Sequence, residues 1–575
     1  MNILDYHHRT KHQPDGYAAG PETIDWDNQP DPFRRFEGTT LVSLPLVASQ
    51  LTTRWADVWQ PAPASDQPAP LTLERIAQLL ECSLALSAWK QYGTARWSLR
   101  VNPSSGNLHP TECYVLAANI PGLDDGVYHY RADLHGLERR CSITAFPDQR
   151  PQLLLGFSSV FWREAWKYGE RAYRYCQHDV GHALAAVSYG AAVVFGEGGV
   201  PPLRPISIAD ADLSQLLGLD RTQDFGVAEA EHPDCLIALS ETADLAAFRE
   251  GLSSAQWQGQ ANVLDPRHFY QWPVIDEAAE AAAIAFDSAI DPETDIEAVK
   301  ASSPLTSTST STSTPSTPDR TWPAPRAAQG ALASESAVSL IRHRRSAQAF
   351  NPAGTMSQED FATLLDHCLP RANTPPWNCI PQVDGIHLLL FVHQVESLPS
   401  GLYALLRNPA DLPDLKRRMR DQFEWVKVEW SETESAKDKG ALDHLPLYRL
   451  LQAGTRRTAA GLSCQQAIAG DSAFSLAMLA DMRQISEQPQ HYRYLHWQAG
   501  AIGQVLYLEA EAAALRGTGI GCFFDDRVHN LLGLEDDDWQ VLYHFTVGEP
   551  IVDQRITTLS AYSDTGRGRS PDPTV

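Results

Sequence analysis

The chain has 575 residues, of which 43% are hydrophobic and 20% charged, as is typical of globular proteins that bury a core. Its 46 Lys and Arg residues against 71 Asp and Glu residues give a net charge of −25, which argues against nucleic acid or an anionic membrane as the main partner. The polar N-terminus lacks the apolar core of a signal peptide, and the longest apolar run is too short to cross a bilayer. Nine cysteines without a Cys-x-x-Cys motif favour reduced thiols over disulfides or a zinc site. These features predict a cytoplasmic protein without a metal.

Residues 1–70 are rich in Pro, Asp, aromatic residues and His, and they are interpreted as a polar arm packed on the first domain. Three of its histidines, His7, His8 and His12, are metal-ligand types. Because no carboxylate or Cys stands at ligand spacing from them, the packed arm is the favoured interpretation.

A helix is predicted from Leu71 to Ser87, where Thr72 can cap an apolar stripe. A polar loop then precedes a strand that begins at Thr111. The loop offers hydroxyls, an amide and backbone N–H groups to a flat, acceptor-rich ligand, and its glycine permits close approach. The same composition is also typical of an ordinary surface turn. Its central residues are Pro103, Ser104, Ser105, Gly106 and Asn107.

Residues 161–196 read as a long helical stretch, whose second half is small and apolar all round, as in a buried helix. Further on, residues 302–318 form a Ser/Thr/Pro tract that cannot build a core. This composition predicts a flexible linker, placed at residues 277–330.

After the linker the order of elements recurs, which predicts a duplicated domain. Two copies in one chain predict a pseudo-symmetric dimer with a covalent tether. The matching pairs are Thr72–Leu80 with Ser357–Leu365, Gly126–Tyr128 with Gly401–Tyr403, Tyr173–Gly181 with Tyr492–Gly500, and Leu216–Leu219 with Leu531–Leu534.

The two copies are not equivalent. The second copy begins with Arg344-Arg345-Ser346, whose two guanidinium groups and hydroxyl suit a phosphate, whereas the first copy has no basic residue at 38–43. Conversely, the donor loop of the first copy becomes residues 375–380 of the second, where most donors are lost. One complete site across the interface is therefore expected.

The ordered set of motifs resembles the nitroreductase-fold flavoproteins, and among them the SagB-type dehydrogenases in their tandem form. The motifs that carry the resemblance are the Tyr6–His12 arm, the Asn102–Pro110 loop, Lys167-Tyr168 leading into Arg171–His182, Arg344-Arg345-Ser346, Gly519-Ile520-Gly521, Phe524–Asp526, and the ending Val547–Pro550 with Arg555.

The resemblance implies an α+β fold with two tandem domains, each an antiparallel sheet flanked by helices, that together form an intramolecular pseudo-dimer. The predicted boundaries are an arm at 1–70, a first domain at 71–276, the linker at 277–330 and a second domain at 331–575. A fused pair of this kind can act as a monomer, and further association stays open.

FMN is the cofactor that the resemblance implies, bound at the interface between domains. Members of the family hold its phosphate with the Arg-Arg-Ser motif and a basic residue near the C-terminus, and its ring against the polar loop and the Gly-Ile-Gly stretch. The implied cofactor residues are Pro103, Ser104, Ser105, Gly106, Asn107, Arg344, Arg345, Ser346, Gln348, Gly519, Ile520, Gly521 and Arg555.

The azoline-oxidising members use a Lys-Tyr pair in catalysis, which matches Lys167 and Tyr168. Lys167 would exchange protons if burial lowers its pKa, and Tyr168 would relay or hold one. Without the family, a surface-reaching lysine and a core tyrosine would be the better explanation of the two residues.

The chain departs from the family pattern at several points. Gln348 stands where Arg or Lys is usual, and the second copy has Ser486-Glu487 at the position of Lys167-Tyr168. Together with the lost loop and the missing phosphate motif, these departures predict one FMN site per chain rather than two.

Three functions follow as hypotheses. The first is an FMN-dependent oxidoreductase of the SagB type that acts on a small-molecule or peptide-derived, azoline-like substrate. The second is a nitro- or quinone reductase that uses NAD(P)H. The third is a catalytically degenerate binding module, which would purify without flavin.

Overall fold

The computed structural model describes residues 1–59, 69–144, 146–196, 203–240, 243–285, 322–328, 330–371, 373–381, 384–430 and 442–562. The strands are β1 (Phe36–Glu37), β2 (Thr40–Ser43), β3 (Leu86–Tyr92), β4 (Ala95–Arg100), β5 (Thr111–Ala118), β6 (Gly126–Arg131), β7 (Gly136–Ser142), β8 (Gln152–Ser159), β9 (Arg204–Ile206), β10 (His232–Ala238), β11 (Gln260–Ala261), β12 (Ile386–Val392), β13 (Gly401–Leu405), β14 (Val426–Lys427), β15 (Leu447–Gln452), β16 (Phe474–Asp481), β17 (Arg516–Ile520), β18 (Trp539–Gly548) and β19 (Thr557–Leu559).

The helices of the described residues fall into two similar series, one on each side of the predicted linker. They are α1 (Ile3–Arg9), α2 (Trp55–Val58), α3 (Leu73–Glu81), α4 (Phe161–Tyr168), α5 (Ala172–Phe195), α6 (Asp210–Leu217), α7 (Thr222–Phe225), α8 (Leu245–Ser253), α9 (Pro273–Ala281), α10 (Ala337–His343), α11 (Gln358–His367), α12 (Leu412–Arg418), α13 (Arg456–Leu462), α14 (Ala467–Asp471), α15 (His491–Ala512) and α16 (Asp525–Leu532).

Two seven-stranded antiparallel sheets share the order of six strands and differ at one edge strand, because β2 comes first in the chain order of its sheet whereas β14 comes between β13 and β15. The first runs β2-β7-β6-β5-β8-β10-β9 and the second β14-β15-β13-β12-β16-β18-β17. A local detail repeats as well: Tyr128 and Tyr403 each donate a hydroxyl hydrogen bond of 2.7 Å to the carbonyl four residues earlier. The predicted α+β tandem fold with antiparallel sheets is therefore confirmed.

Side chains along the strands alternate between two sides of each sheet. One side faces a helical layer that the two sheets share. In β5, Val115 and Ala117 join the main core, whereas Tyr114 and Leu116 face a smaller core on the outer side of the sheet. The main core contains apolar residues of both halves, including those of the central helices. The two halves thus share one core, as in an intertwined dimer.

The central helices α5 and α15 cross at two glycines. A Cβ at Gly181 would overlap the carbonyl of Trp497, and a Cβ at Gly500 would overlap the carbonyl of His178. Since glycine alone allows backbones to approach so closely, this pair fixes where the halves meet. These are the two glycines that the sequence repeat aligns.

The halves also exchange segments at their ends. The C-terminal strand β19 pairs with β3 of the first half, and β3 pairs with β4 in a three-stranded sheet. From the N-terminal arm, Lys11 forms an ion pair of 2.8 Å with Asp526, and the backbone N–H of His12 donates to Asp525 at 2.9 Å. Each terminus is therefore anchored on the opposite half.

Several predicted boundaries differ from the observed elements. The helix predicted from residue 71 ends at Glu81, and the helical stretch predicted over 161–196 is interrupted at Gly169, which has a φ of 55°. Part of the predicted arm, β2, joins the first sheet beside β7. Most of the linker predicted at 277–330, namely residues 286–321, lies outside the described residues.

No helix of the described residues is long and apolar enough to cross a membrane.

Candidate active site

A cavity of about 480 Å³ lies between the two halves. The first half contributes the polar loop of residues 103–107, and the second half contributes Arg344-Arg345-Ser346 with Gln348 and the stretch Gly519–Gly521. Every predicted cofactor residue except Arg555 lines this cavity. The structure thus brings together motifs that lie more than 400 positions apart in the sequence.

One end of the cavity is rich in cations. Arg100, Arg344, Arg345 and Arg516 line it, and Arg344 is 4% exposed. Its Nε and Nη1 have no hydrogen-bond partner among the described residues, and neither has Arg100 Nε. Burial, with nearby Arg344, lowers the pKa of Arg345 to about 9. Buried guanidinium groups without partners are costly, so this corner is suited to a bound anion.

The Ser346 hydroxyl lies in the same corner, 2.8 Å from the hydroxyl of Tyr507. Arg344 stacks over the Tyr507 ring, 4.8 Å from its centroid. Through these two contacts, Tyr507 orients Arg344 and Ser346 of the Arg-Arg-Ser motif.

Asp179 of α5 holds the polar loop in place. Its carboxylate accepts hydrogen bonds from the Ser105 backbone N–H at 3.0 Å and from the Ser105 hydroxyl at 3.1 Å. Gly106 has a φ of 58° and Asn107 a φ of 60°, so the loop turns through left-handed conformations. The loop therefore presents a fixed rim to the cavity.

Behind the loop, Asp179 meets Glu164 of α4. Burial raises the pKa of both carboxyl groups, and the charge of Asp179 raises the pKa of Glu164 further. Both carboxyl groups therefore hold their protons to higher pH than exposed carboxyl groups do, as expected for two that share a buried site.

Lys167 and Tyr168 close the same side of the site. A Cβ at Gly106 would lie 2.5 Å from the Tyr168 hydroxyl and 3.1 Å from Lys167 Nζ, so both polar atoms pack against the loop. Tyr168 lines the cavity. Burial lowers the pKa of Lys167, and Glu164 opposes this shift. Burial also raises the pKa of Tyr168, which keeps its hydroxyl protonated.

The stretch Gly519–Gly521 packs against several tyrosine side chains. Gly519 donates its backbone N–H to the Tyr507 hydroxyl at 3.1 Å, and Tyr175 donates its hydroxyl to the Gly521 carbonyl at 3.1 Å. Side chains at either glycine would overlap Tyr543 or Tyr175. Glycine at both positions keeps the cavity open beside these rings.

Arg555 lies apart from the other predicted residues. Its side chain is 72% exposed and forms an ion pair of 2.7 Å with Asp553. Arg516 stands in the cavity instead, at the start of β17, and Arg100 lies just before the polar loop. Sequence reasoning missed both, although Arg516 directly precedes the glycine run. No sequence motif marked Tyr507 or Tyr543 as a site residue, because they lie in a buried helix and a core strand.

The place that corresponds to this cavity by the internal repeat is filled by the protein itself. There the loop of the second half inserts Trp377 and Cys379, both buried. Ser188 donates a hydrogen bond of 2.6 Å to Asn378. The edge strand β9 is Arg204-Pro205-Ile206, and by the strand register Pro205 stands where the other half has Gly519.

Residues 341–549 match the family model described as the nitroreductase family. The trifolitoxin-processing protein TfxB of Rhizobium leguminosarum bv. trifolii is 29% identical over 170 residues, which cover 27% of this chain and 44% of TfxB. The chain thus matches less than half the length of that relative. MJ1384 of Methanocaldococcus jannaschii, which carries a provisional nitroreductase name, is 26% identical over 142 residues, covering 22% of this chain and 68% of MJ1384.

Among solved structures, a protein of Anabaena variabilis provisionally described as a nitroreductase superposes with a TM-score of 0.64. The match covers 96% of this chain and 100% of that chain, at 22% identity. This likeness extends the fold assignment to both halves of the chain.

Proposed function

Since residues 341–549 form a nitroreductase-family domain, we propose that the chain is an FMN-dependent oxidoreductase with its cofactor in the cavity between the halves. Nitroreductase-family proteins generally use FMN. The observation that carries the proposal is the cluster of buried, unpartnered guanidinium nitrogens in a cavity of about 480 Å³. That volume falls in the range of about 300–1,000 Å³ usual for small-molecule sites.

The residues present fit this cofactor at both of its ends. Arg344, Arg345 and Ser346 would hold the phosphate, and we assign Arg516 rather than the exposed Arg555 as the additional cation. The polar loop and Gly519–Gly521 would flank the ring, because they offer backbone donors and open space. Bound FMN would supply an acceptor and donor of hydride equivalents.

In this proposal, Lys167 and Tyr168 are the residues that transfer protons. The lowered pKa of Lys167 brings it closer to neutrality, where a lysine can both accept and donate a proton. Asp179 holds the loop from behind through Ser105, so it acts as a positioning residue, and the Glu164 carboxyl group lies near Lys167. This arrangement supports the SagB-type function, with hydride transfer to or from a small-molecule or peptide-derived, azoline-like substrate.

We further propose one FMN per chain. The corresponding place in the other half lacks the arginine pair and is closed by Trp377, Asn378 and Cys379. Its edge strand also carries side chains where the glycines would be needed.

The test is the flavin released from purified protein after denaturation, measured by absorbance per chain. We expect about one FMN per chain in the wild type and a loss of at least tenfold in affinity for Arg344→Ala combined with Arg345→Ala, because charge-assisted hydrogen bonds contribute about 1.5–3 kcal/mol each. Arg54→Ala combined with Arg417→Ala removes the same charge from the surface and should leave flavin content unchanged.

Other outcomes separate the alternatives. Two FMN per chain would contradict the single site, and protein that takes up no added FMN would indicate a binding module. Rapid NADPH oxidation with nitro or quinone compounds would favour the reductase hypothesis.

A further inference from the structure

Two cysteines meet at the rim of the cavity. Seven of the nine cysteines are buried, whereas Cys464 and Cys522 are partly exposed. Their sulfur atoms lie 2.6 Å apart, although the residues are 58 positions apart in the chain. Cys522 also lines the cavity. The two accessible thiols of the protein are therefore paired with each other.

The backbone around the pair is held in an unusual conformation. Cys464 and Gln465 have φ values of 50° and 60°, in the left-handed region that side chains other than glycine rarely adopt. Each such residue costs about 1–2 kcal/mol, which the surroundings must offset. The Gln466 amide does so in part by donating to the carbonyls of Ser463 at 2.9 Å and Cys522 at 3.1 Å. These bonds fix Cys464 against Cys522.

One of the two sulfurs, that of Cys522, lies beside a cation. Arg171 lies beside Cys522 and donates to the Gly521 carbonyl at 3.3 Å, and the His12 imidazole of the N-terminal arm is a further neighbour. Hydrogen bonding from Cys464, together with His12 and Arg171, lowers the pKa of Cys522 to about 5, while burial opposes the shift. The pKa of Cys464 is raised by its neighbour. Because it lines the cavity and lies beside Arg171, Cys522 is the attacking sulfur and Cys464 is its partner.

We propose that Cys464 and Cys522 form a thiol–disulfide exchange site that reduces a disulfide substrate at the rim of the cavity. The Cys522 thiolate attacks one sulfur of the substrate disulfide, which forms a mixed disulfide and releases one substrate thiol after it takes up a proton. Cys464, on giving up its proton, attacks the mixed disulfide at Cys522 and releases the second thiol. The pair is oxidised by two electrons and the substrate disulfide is reduced by two.

This site is distinct from the proposed flavin chemistry, since the exchange needs no cofactor. Among the described residues no group of three or more His, Cys, Asp or Glu side chains is arranged to hold a metal ion, so the pair is not part of such a cluster. Tyr17, which is 58% exposed, lies beside Cys464, and Gln465 is exposed, so a substrate can approach from solvent.

The test treats the reduced full-length protein with oxidised glutathione, blocks free thiols with N-ethylmaleimide and maps the digest by mass spectrometry. We expect a peptide pair joined by Cys464 and Cys522, with two glutathione molecules released per chain, while the seven buried cysteines stay unreacted. The seven serve as controls within the same molecule.

Two variants resolve the order of steps. Cys464→Ser should stop at a glutathione mixed disulfide on Cys522, and Cys522→Ser should lose the reaction at Cys464 at least tenfold. Both thiols remaining free after oxidised glutathione would overturn the proposal. Glutathione stably attached to both cysteines would also overturn it.

Discussion

Gly106 combines two constraints at one position of the polar loop. Its φ is 58°, and the space beside its Cα is taken by the Tyr168 hydroxyl and Lys167 Nζ. A side chain here would strain the backbone and also push the proposed proton-transfer residues out of place. The position therefore links loop geometry to the proposed chemistry.

We predict that Gly106→Ala lowers flavin affinity or turnover at least tenfold, because it displaces Tyr168 and Lys167. The matched control is Gly93→Ala, since Gly93 has a φ of 57° with nothing within 4 Å of its missing Cβ. Both variants carry the backbone cost of about 1–2 kcal/mol, so the comparison separates that cost from the effect of the overlap at Gly106. Equal flavin binding and turnover in the two variants would contradict the role of crowding.

His129 is a buried, charged residue within the first sheet. Burial disfavours its charge, but hydrogen bonds of 3.1 Å to Glu112 and Glu138 outweigh burial and raise its pKa to about 9. The unfolded chain releases this proton near pH 6.5. The folded protein therefore holds a proton that the unfolded chain has lost between these two values.

It follows that the stabilising contribution of His129 is complete below about pH 6.5 and disappears as the pH rises through about 9. We predict that stability falls across this window, with a slope of at most about 1.4 kcal/mol per pH unit from this group. The thermal midpoint measured from pH 6 to pH 9.5 should fall less steeply in His129→Gln. Parallel profiles for the two proteins would show that His129 is neutral in the fold.

The sequence predicts site residues well where a short motif keeps its neighbours together. The polar loop, the arginine pair and the glycine stretch were all recognisable and all line the cavity. Arg100, Arg516, Tyr507 and Cys522 were missed because their relevance depends on tertiary contacts. Nine scattered cysteines gave no indication that Cys464 and Cys522 would meet, since no local spacing encodes a contact across 58 residues.

At the scale of elements, the crossing of α5 and α15 sets the distance between the halves. The repeat predicted that Gly181 and Gly500 correspond, and the structure gives the reason, which is contact with the opposite backbone. The sequence did not predict the break between α4 and α5 at Gly169, where the chain turns around the backbone of Ala19 and Gly20. That contact involves the arm, which has no periodic pattern.

We predict that Gly500→Ala destabilises the protein by at least about 1–3 kcal/mol, the usual cost of overpacking, because its Cβ would overlap the carbonyl of His178. The control is Gly461→Ala in helix α13, where nothing lies within 4 Å of the new Cβ. Alanine there should be neutral or stabilising by about 0.5–1 kcal/mol. Thermal midpoints of the two variants would decide, and a Gly500 variant as stable as the control would refute close packing at the crossing.

At the scale of the whole molecule, the two halves are held by their central helices, by β19 on β3 and by the N-terminal arm. Ion pairs reinforce this arrangement, such as Arg493 with Asp210 at 2.6 Å. The internal repeat predicted this partnership, whereas it contained no information on which terminal segment would be exchanged.

We predict that a chain cut within the Ser/Thr/Pro tract, between residues 302 and 318, remains one particle under native conditions. The expected result is an unchanged sedimentation coefficient, with two fragments visible after denaturation. An identical cut in Gly500→Ala should weaken the association. Separation of the wild-type fragments at micromolar concentration would contradict the shared core.

Joining the halves in one chain has a consequence for how the protein can change. In a dimer of identical subunits every mutation occurs twice, so a substitution that closes one cleft closes both. Here Asn378 and Ser188 each occur once, and their hydrogen bond closes one cleft while the other stays open. Covalent duplication thus allows each cleft to change on its own, and here Trp377 and Cys379 are buried in one cleft while the other contains the cavity.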